Sequence, residues 1–335
     1  MNYSRALFPL LVFIGGISFG PLSPFVKIAY TEGYSSVSMI FAQYGGGWLC
    51  LFILVAIFTL CRMLTGKKNG INDGASQRSQ PSQASQPSQT SVKTRLKDCL
   101  LIFACGLSIA LCSSCNIFAL NTISVSLAVL LLFQFIWMGV IIQCIVKRSL
   151  PSKETLISVL LLVIGTVLAS GVLIAGTGFE LIGVLFGLGS ALFFAIYVFL
   201  IGHVAVKIHP VYRSFLVMSM ALLSILAIFG LSLAENAAQI DTGLFRYAMI
   251  IGLFGCAIPM FFFAIGTPKI PTGAATILSS SELPATIICA VIIIHESVTA
   301  FQWVGVGLVF LGIAYPYLAA ALKDNRKNKE KSVKV

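Results

Sequence analysis

Ten long apolar runs decide what this chain can become. They cover residues 6–28, 38–61, 98–120, 124–146, 155–176, 181–202, 212–233, 244–265, 272–294 and 302–322. Each is close to the roughly 20 apolar residues that carry a helix across a bilayer. Charged residues are 10% of the 335, against about 25% in soluble domains, so there are too few charges to clothe a water-exposed globule. The sequence predicts an all-α polytopic membrane protein of ten transmembrane helices. The first run reads as a span rather than a cleaved leader: it is long, broken by Pro9, Pro21 and Pro24, and not followed by a small-x-small site.

Charge orients the bundle. The formal net charge is +11, but the bases lie between and after apolar runs, which excludes a nucleic-acid stripe. With the N-terminus inside, alternate loops and the tail hold every one of the 22 Lys and Arg except Lys27 and Arg246, with Lys207 and Arg213 sharing one such loop. Glu32, Glu180, Glu235, Asp241 and Glu296 fall on the other side. That asymmetry follows the positive-inside rule and predicts cytoplasmic N- and C-termini.

The nine cysteines lie in or beside apolar runs and read as small hydrophobes. Cys112-Ser-Ser-Cys115 has redox spacing but sits inside a span, without the βαβ setting that would support it. No phosphate-binding loop or HExxH motif is present, so neither ATP nor catalytic zinc is expected, and no cofactor or metal is predicted. Residues 65–97 are polar and low in complexity, centred on repeated Pro-Ser-Gln, and read as a disordered cytoplasmic linker. The expected organisation is 1–64 (the first two spans), the 65–97 linker, 98–176 (three further spans), 177–322 (five spans) and a basic cytoplasmic tail, 323–335.

A faint internal repeat runs through the spans. Phe118-Ala-Leu-Asn-Thr in span three is similar to Phe263-Ala-Ile-Gly-Thr in span eight, and Ile164-Gly165 corresponds to Leu311-Gly312. Five spans is an odd number, so a second copy enters the membrane from the opposite side. The pattern is a 5+5 inverted-topology repeat, the architecture of many secondary transporters.

The segments Phe263-Ala-Ile-Gly-Thr-Pro-Lys-Ile-Pro-Thr-Gly-Ala-Ala, Ser281-Glu-Leu-Pro284, His295-Glu-Ser297 and Gly305-Val-Gly-Leu-Val-Phe-Leu-Gly312 resemble the EamA-type members of the drug/metabolite transporter superfamily. The resemblance covers nearly the whole chain outside 65–97 and the tail. It departs from the family pattern where Leu283 separates Glu282 from Pro284, where His295 replaces a glycine, and where Gln43 stands in place of an arginine. It implies that spans three, four, six and nine line a central cavity.

Glu282 is the one acid well inside a run, where an exposed carboxylate costs at least about 2.5–3.5 kcal/mol. It reads either as a proton-coupling or cation-contacting group or as a structural acid bonded to a neighbouring helix. Lys27 either snorkels to the outer interface or meets a substrate carboxylate, and an ion pair with Glu282 is open to it. Gln43, Tyr44, Asn116, Gln134, Tyr197, Ser279, Ser280 and Ser281 supply polar groups at membrane depth, each able to serve as interhelical glue. By the resemblance, Asn116, Gln134, Tyr197 and Glu282 lie on cavity-lining spans; Trp137, Phe194 and Phe261 are candidates for an amphipathic wall. The small pairs Gly16–Gly20 and Gly183–Gly187 suit close helix packing, and Gly45-Gly-Gly47 is a place where span two could loosen.

These features predict a secondary transporter of small metabolites, not an enzyme, working by alternating access with proton coupling at Glu282. The resemblance implies export, amino acids first, across a bacterial inner membrane. The alternatives are an importer or exchanger of sugar phosphates or nucleotide sugars, which would want several cavity cations, or a non-transporting scaffold. The expected partners are the bilayer and a small-molecule substrate.

Overall fold

The structure is a computed structural model, and it describes residues 3–69, 89–120, 122–123, 125–172, 180–235 and 240–333. The described residues are helical, with no strand. In chain order the helices are α1 (Tyr3–Ser18), α2 (Leu22–Thr31), α3 (Ser36–Asn69), α4 (Gln89–Leu120), α5 (Val125–Leu132), α6 (Phe135–Lys147) and α7 (Lys153–Ala169). Then come α8 (Leu181–His203), α9 (Pro210–Glu235), α10 (Thr242–Gly252), α11 (Ile258–Gly266), α12 (Thr272–Ser279), α13 (Glu282–Ile294) and α14 (Ala300–Val333).

Nine helical segments among the described residues are long and apolar enough to cross a membrane. The remaining apolar run, the fifth, corresponds to α7, which has 17 residues, and residues 173–179 beyond it lie outside the described set. Ile57, Leu100, Leu160, Leu185, Leu223 and Leu311, on six spans, are each more than half exposed. A soluble surface does not carry apolar area on that scale; the chain is an integral, multi-pass membrane protein. Helical backbone continues to Asn69 and resumes at Gln89, so of the expected linker the stretch 70–88 lies outside the described residues.

The spans pack in defined pairs. α7 lies along α14, α4 along α8, α1 along α11, and α3 against both α9 and α10. α9 also packs on α4, α6 on α12 and α8, and α1 on α12 and α13.

Several spans are interrupted. The first breaks between α1 and α2 at Phe19–Pro21, where the proline has no N–H to donate and disfavours helix for the residue before it. The fourth breaks at Phe133–Gln134 and the ninth at Ser280–Ser281. The eighth widens into a π turn at Leu253–Ala257, just before Pro259. Span two, by contrast, runs through Gly45–Gly47 without a break; there Gly46 and Gly47 serve close packing against the eighth span.

Two prolines free carbonyls that other spans then satisfy. Pro259 cannot serve the carbonyl four residues back, and the Gln43 side chain donates to that carbonyl, Gly255 O, at 3.4 Å. Pro316 inside α14 likewise frees Gly312 O, which accepts from Ser158 Oγ of α7 at 2.6 Å. A buried carbonyl without water in reach needs such a partner. Ser158→Ala is therefore expected to destabilise the fold by about 1–2 kcal/mol. Pro316→Ala restores the backbone donor, so the serine deletion should cost much less in that background. Equilibrium unfolding of the two single variants and the double variant in mixed detergent measures the coupling; strict additivity would refute the pairing.

Helix ends outside the bilayer use ordinary caps. Ser152 accepts from Thr155 N at 3.2 Å, and Asp241 accepts from Leu244 N at 2.7 Å and from the Tyr34 hydroxyl at 2.8 Å. These bonds hold the Asp241 carboxyl below its usual range, the Leu244 amide first among them. The same contact raises the Tyr34 phenol. Because the folded-state carboxyl is the more acidic, the Asp241 contribution is present above its unfolded value and is lost as pH falls through the folded one.

Candidate functional site

The breaks in spans one and nine lie against each other. α12 begins after Pro271 with no cap from its own chain neighbours, and Gln143 of α6 fills that role: its Oε1 accepts from Gly273 N at 2.6 Å. The helix then runs eight residues to three consecutive, fully buried serines. Ser279 Oγ donates to Thr276 O at 3.0 Å and Ser280 Oγ to Ile277 O at 2.6 Å. Such local bonds compete with the helical ladder, and they accompany its interruption. Ser281 Oγ instead leaves its own helix and donates to Phe13 O of α1 at 2.9 Å.

Glycines on span one let the backbones approach. A Cβ at Gly16 would sit 2.9 Å from Ser279 O, and one at Gly20 would sit 2.9 Å from the Ala285 backbone. Gly183 and Gly187 of α8 work in the same way inside the bundle, against Thr122 with Ile123 and against Leu131.

Glu282 is the first residue of α13, directly after this crossing. Its side chain is half-buried and makes no hydrogen bond or ion pair among the described residues. The first turn of α13 gives Leu283 N to Ser280 O and Ala285 N to Ser281 O, each at 3.2 Å, and the carboxylate stands at the positive end of that helix's dipole. It is within electrostatic range of Cys112 on α4. Asn116, one turn further along that face, is half-buried and likewise has no hydrogen-bond partner among the described residues. Ser281 and Glu282 thus sit together at the crossing, with Cys112 of α4 within electrostatic range of the carboxylate.

The other sequence-picked residues are placed differently. Lys27 does not meet Glu282; its Nζ pairs with Glu296 at 3.2 Å, at the end of the bundle away from the N-terminus. A lysine four residues from the end of α2 is too near the water for a mid-membrane partner. Gln43 is taken by Gly255 O. Trp137 Nε1 donates to Gln134 Oε1 at 2.7 Å while Gln134 Nε2 donates to Leu130 O at 3.0 Å, so the two satisfy each other at the break in span four. Tyr197 is 2% exposed, with Phe194 packed beside it and Phe194 edge-on to Phe135. Tyr44, within electrostatic range of Tyr197, donates to Ile109 O at 3.0 Å and shares a 2.7 Å bond with Ser113.

Arg213, which the sequence places with Lys207 in a loop, is instead buried inside the bundle. It is 1% exposed. Nη1 donates to Val204 O at 3.2 Å and Nη2 to Ala264 O, while Nε is buried without a partner among the described residues. Val204 caps α8 and Ala264 lies in the last turn of α11, so the guanidinium joins two helix C-termini, the ends at which a cation is favoured. Ala205, in the turn that wraps it, has a left-handed φ of 46°.

Residues 181–317 match the family model of the EamA-like transporter family. A solved crystal structure of a protein superposes with a TM-score of 0.65 at 14% identity, covering 93% of this chain and 98% of that one; the likeness is one of fold. No curated protein matches the chain by sequence.

Proposed function

With residues 181–317 falling in the EamA-like transporter family, part of the drug/metabolite transporter superfamily, we propose that this chain is a secondary transporter exporting small zwitterionic or amphipathic metabolites, amino acids first. Glu282 is its cation- and proton-contacting carboxylate. The observation that carries the reading is this unpartnered carboxylate at the N-terminus of a half-helix, beside two crossed helix breaks. Discontinuous helices at mid-membrane are where transporters bind solutes and coupling ions. The Glu282 carboxylate would take the substrate ammonium or a proton in turn. Asn116 and Tyr197 are the partners for the rest of the solute, with Gln43, Gln134, Trp137 and Ser281 shaping the surrounding wall. Lys27, at the outer interface in this orientation, would meet the solute carboxylate on its way out.

Alternating access of two five-span halves fits the internal correspondences. Val125–Leu132, a two-residue break, Phe135–Lys147 and left-handed Arg148 are matched at one constant offset by Thr272–Ser279, a two-residue break, Glu282–Ile294 and left-handed His295. The packing pairs also exchange under the same correspondence: span one on eight answers three on six, and two on eight answers three on seven. The loop charges favour cytoplasmic termini, a cytoplasmic 65–97 linker between the second and third spans, and a basic tail at 323–335. A bacterial inner membrane is the setting this reading assigns. A phosphorylated solute fits less well, because it would want several cations at the crossed breaks, whereas Lys27 lies at the bundle end and two of the three guanidinium nitrogens of Arg213 are spent on carbonyls.

Counterflow of radiolabelled amino acids in proteoliposomes tests the proposal. Glu282→Gln should lower exchange at least tenfold and flatten its dependence on pH, with the detergent-solubilised protein still monodisperse. Wild-type rates and an unchanged pH profile in that variant would end the role given to Glu282.

A further inference from the structure

A second polar feature lies at the bundle end away from the N-terminus, well separated in depth from the crossed breaks. The ends of α2 and α13 flank an open cleft of about 460 Å³ whose lining includes Lys27, Ile28, Ile293, Ile294, His295 and Glu296. Its charged members are one base and one acid, Lys27 and Glu296, 3.2 Å apart with side chains 60% and 47% exposed. An ion pair that open holds its partners weakly and exchanges them readily. The walls are isoleucines on the bilayer side, and neighbouring Ile292 is 66% exposed. His295, in a left-handed conformation, ends α13 at the rim.

We propose that this cleft binds a phospholipid headgroup carrying both a phosphate and a primary ammonium. The phosphate takes Lys27 Nζ, with His295 at the rim as a second donor, and the ammonium takes the Glu296 carboxylate. One ion pair is thereby exchanged for two, and no charge is left unmatched. The glycerol and first acyl carbons then lie along Ile28, Ile293 and Ile294. The position favours a lipid: Lys27 is within one turn of the end of α2 and Glu296 is two residues past α13, the level at which headgroups are concentrated and at which interfacial cations meet phosphate. A quaternary ammonium satisfies the charge but has no N–H to donate to Glu296, so the site discriminates against it.

Native mass spectrometry of the full chain in a neutral detergent, with phosphatidylethanolamine, phosphatidylcholine and phosphatidylglycerol offered at equal concentration, tests this. Wild type should retain phosphatidylethanolamine at least fivefold over each of the others. Glu296→Gln should bring it down to the phosphatidylcholine level, and Lys27→Gln should lower retention of all three lipids. Both side chains are exposed, so neither variant removes core packing. Equal retention of the three lipids by wild type, or a preference unmoved by Glu296→Gln, overturns the proposal. Displacement of the bound lipid by soluble glycerophosphoethanolamine at matched concentration overturns the lipid as occupant and assigns the same chemistry to a free solute.

Discussion

Arg213→Met is expected to destabilise the protein by about 3–5 kcal/mol, although methionine replaces much of the lost volume. The guanidinium is spread over two carbonyls, Val204 O at the end of α8 and Ala264 O near the end of α11. Methionine fills space but donates nothing, and it leaves both carbonyls buried without a donor in a region that water does not reach. Arg213→Lys keeps the charge at the two helix C-termini but offers one nitrogen in place of a fork, so roughly half the loss should return. Unfolding midpoints in mixed detergent for wild type, lysine and methionine should fall in that order. A methionine variant as stable as wild type would mean that the arginine contributes nothing to the helix ends it joins.

This arginine also marks the limit of what the sequence makes legible. Spans can be read because hydropathy is a property of each residue and accumulates over 20 of them. Arg213 cannot be read in that way: it stands at the edge of an apolar run beside Lys207 and His209, where a base normally means a loop. Its burial depends on how the turn after α8 folds back over the end of α11, a contact 51 residues apart in the chain. The break at Pro21 is written in the backbone chemistry of proline, whereas those at Phe133–Gln134 and Ser280–Ser281 carry no proline within the break itself. Glu282 is legible as an outlier in an apolar run, but its lack of a partner is not. Lys27 has the same difficulty in reverse. Its depth follows from its position in the helix, while its partner depends on which span lies alongside, and that proves to be the end of span nine.

Adjacent glycines in span two are expected to respond to the same substitution with opposite sign. A Cβ at Gly46 would overlap the carbonyl of Ala248 on α10, and one at Gly252 would overlap the backbone of Gly46 and Gly47. These contacts are between main chains, so no flexible side chain can move aside; α3 and α10 must separate along their crossing. Gly46→Ala and Gly252→Ala should each cost about 2–3 kcal/mol, the upper part of the usual overpacking range. Gly45, one residue away, has no atom within 4 Å of the equivalent position, and it lies inside the continuous helix α3. There alanine meets no obstacle and removes the conformational freedom that glycine loses on entering a helix, so Gly45→Ala should stabilise by about 0.5–1 kcal/mol. Unfolding of the three variants under one detergent condition settles the matter. If Gly45→Ala and Gly46→Ala shifted stability alike, span two would be sensitive to glycine as a flexible element, and the close crossing with α10 would not be the reason these glycines are there.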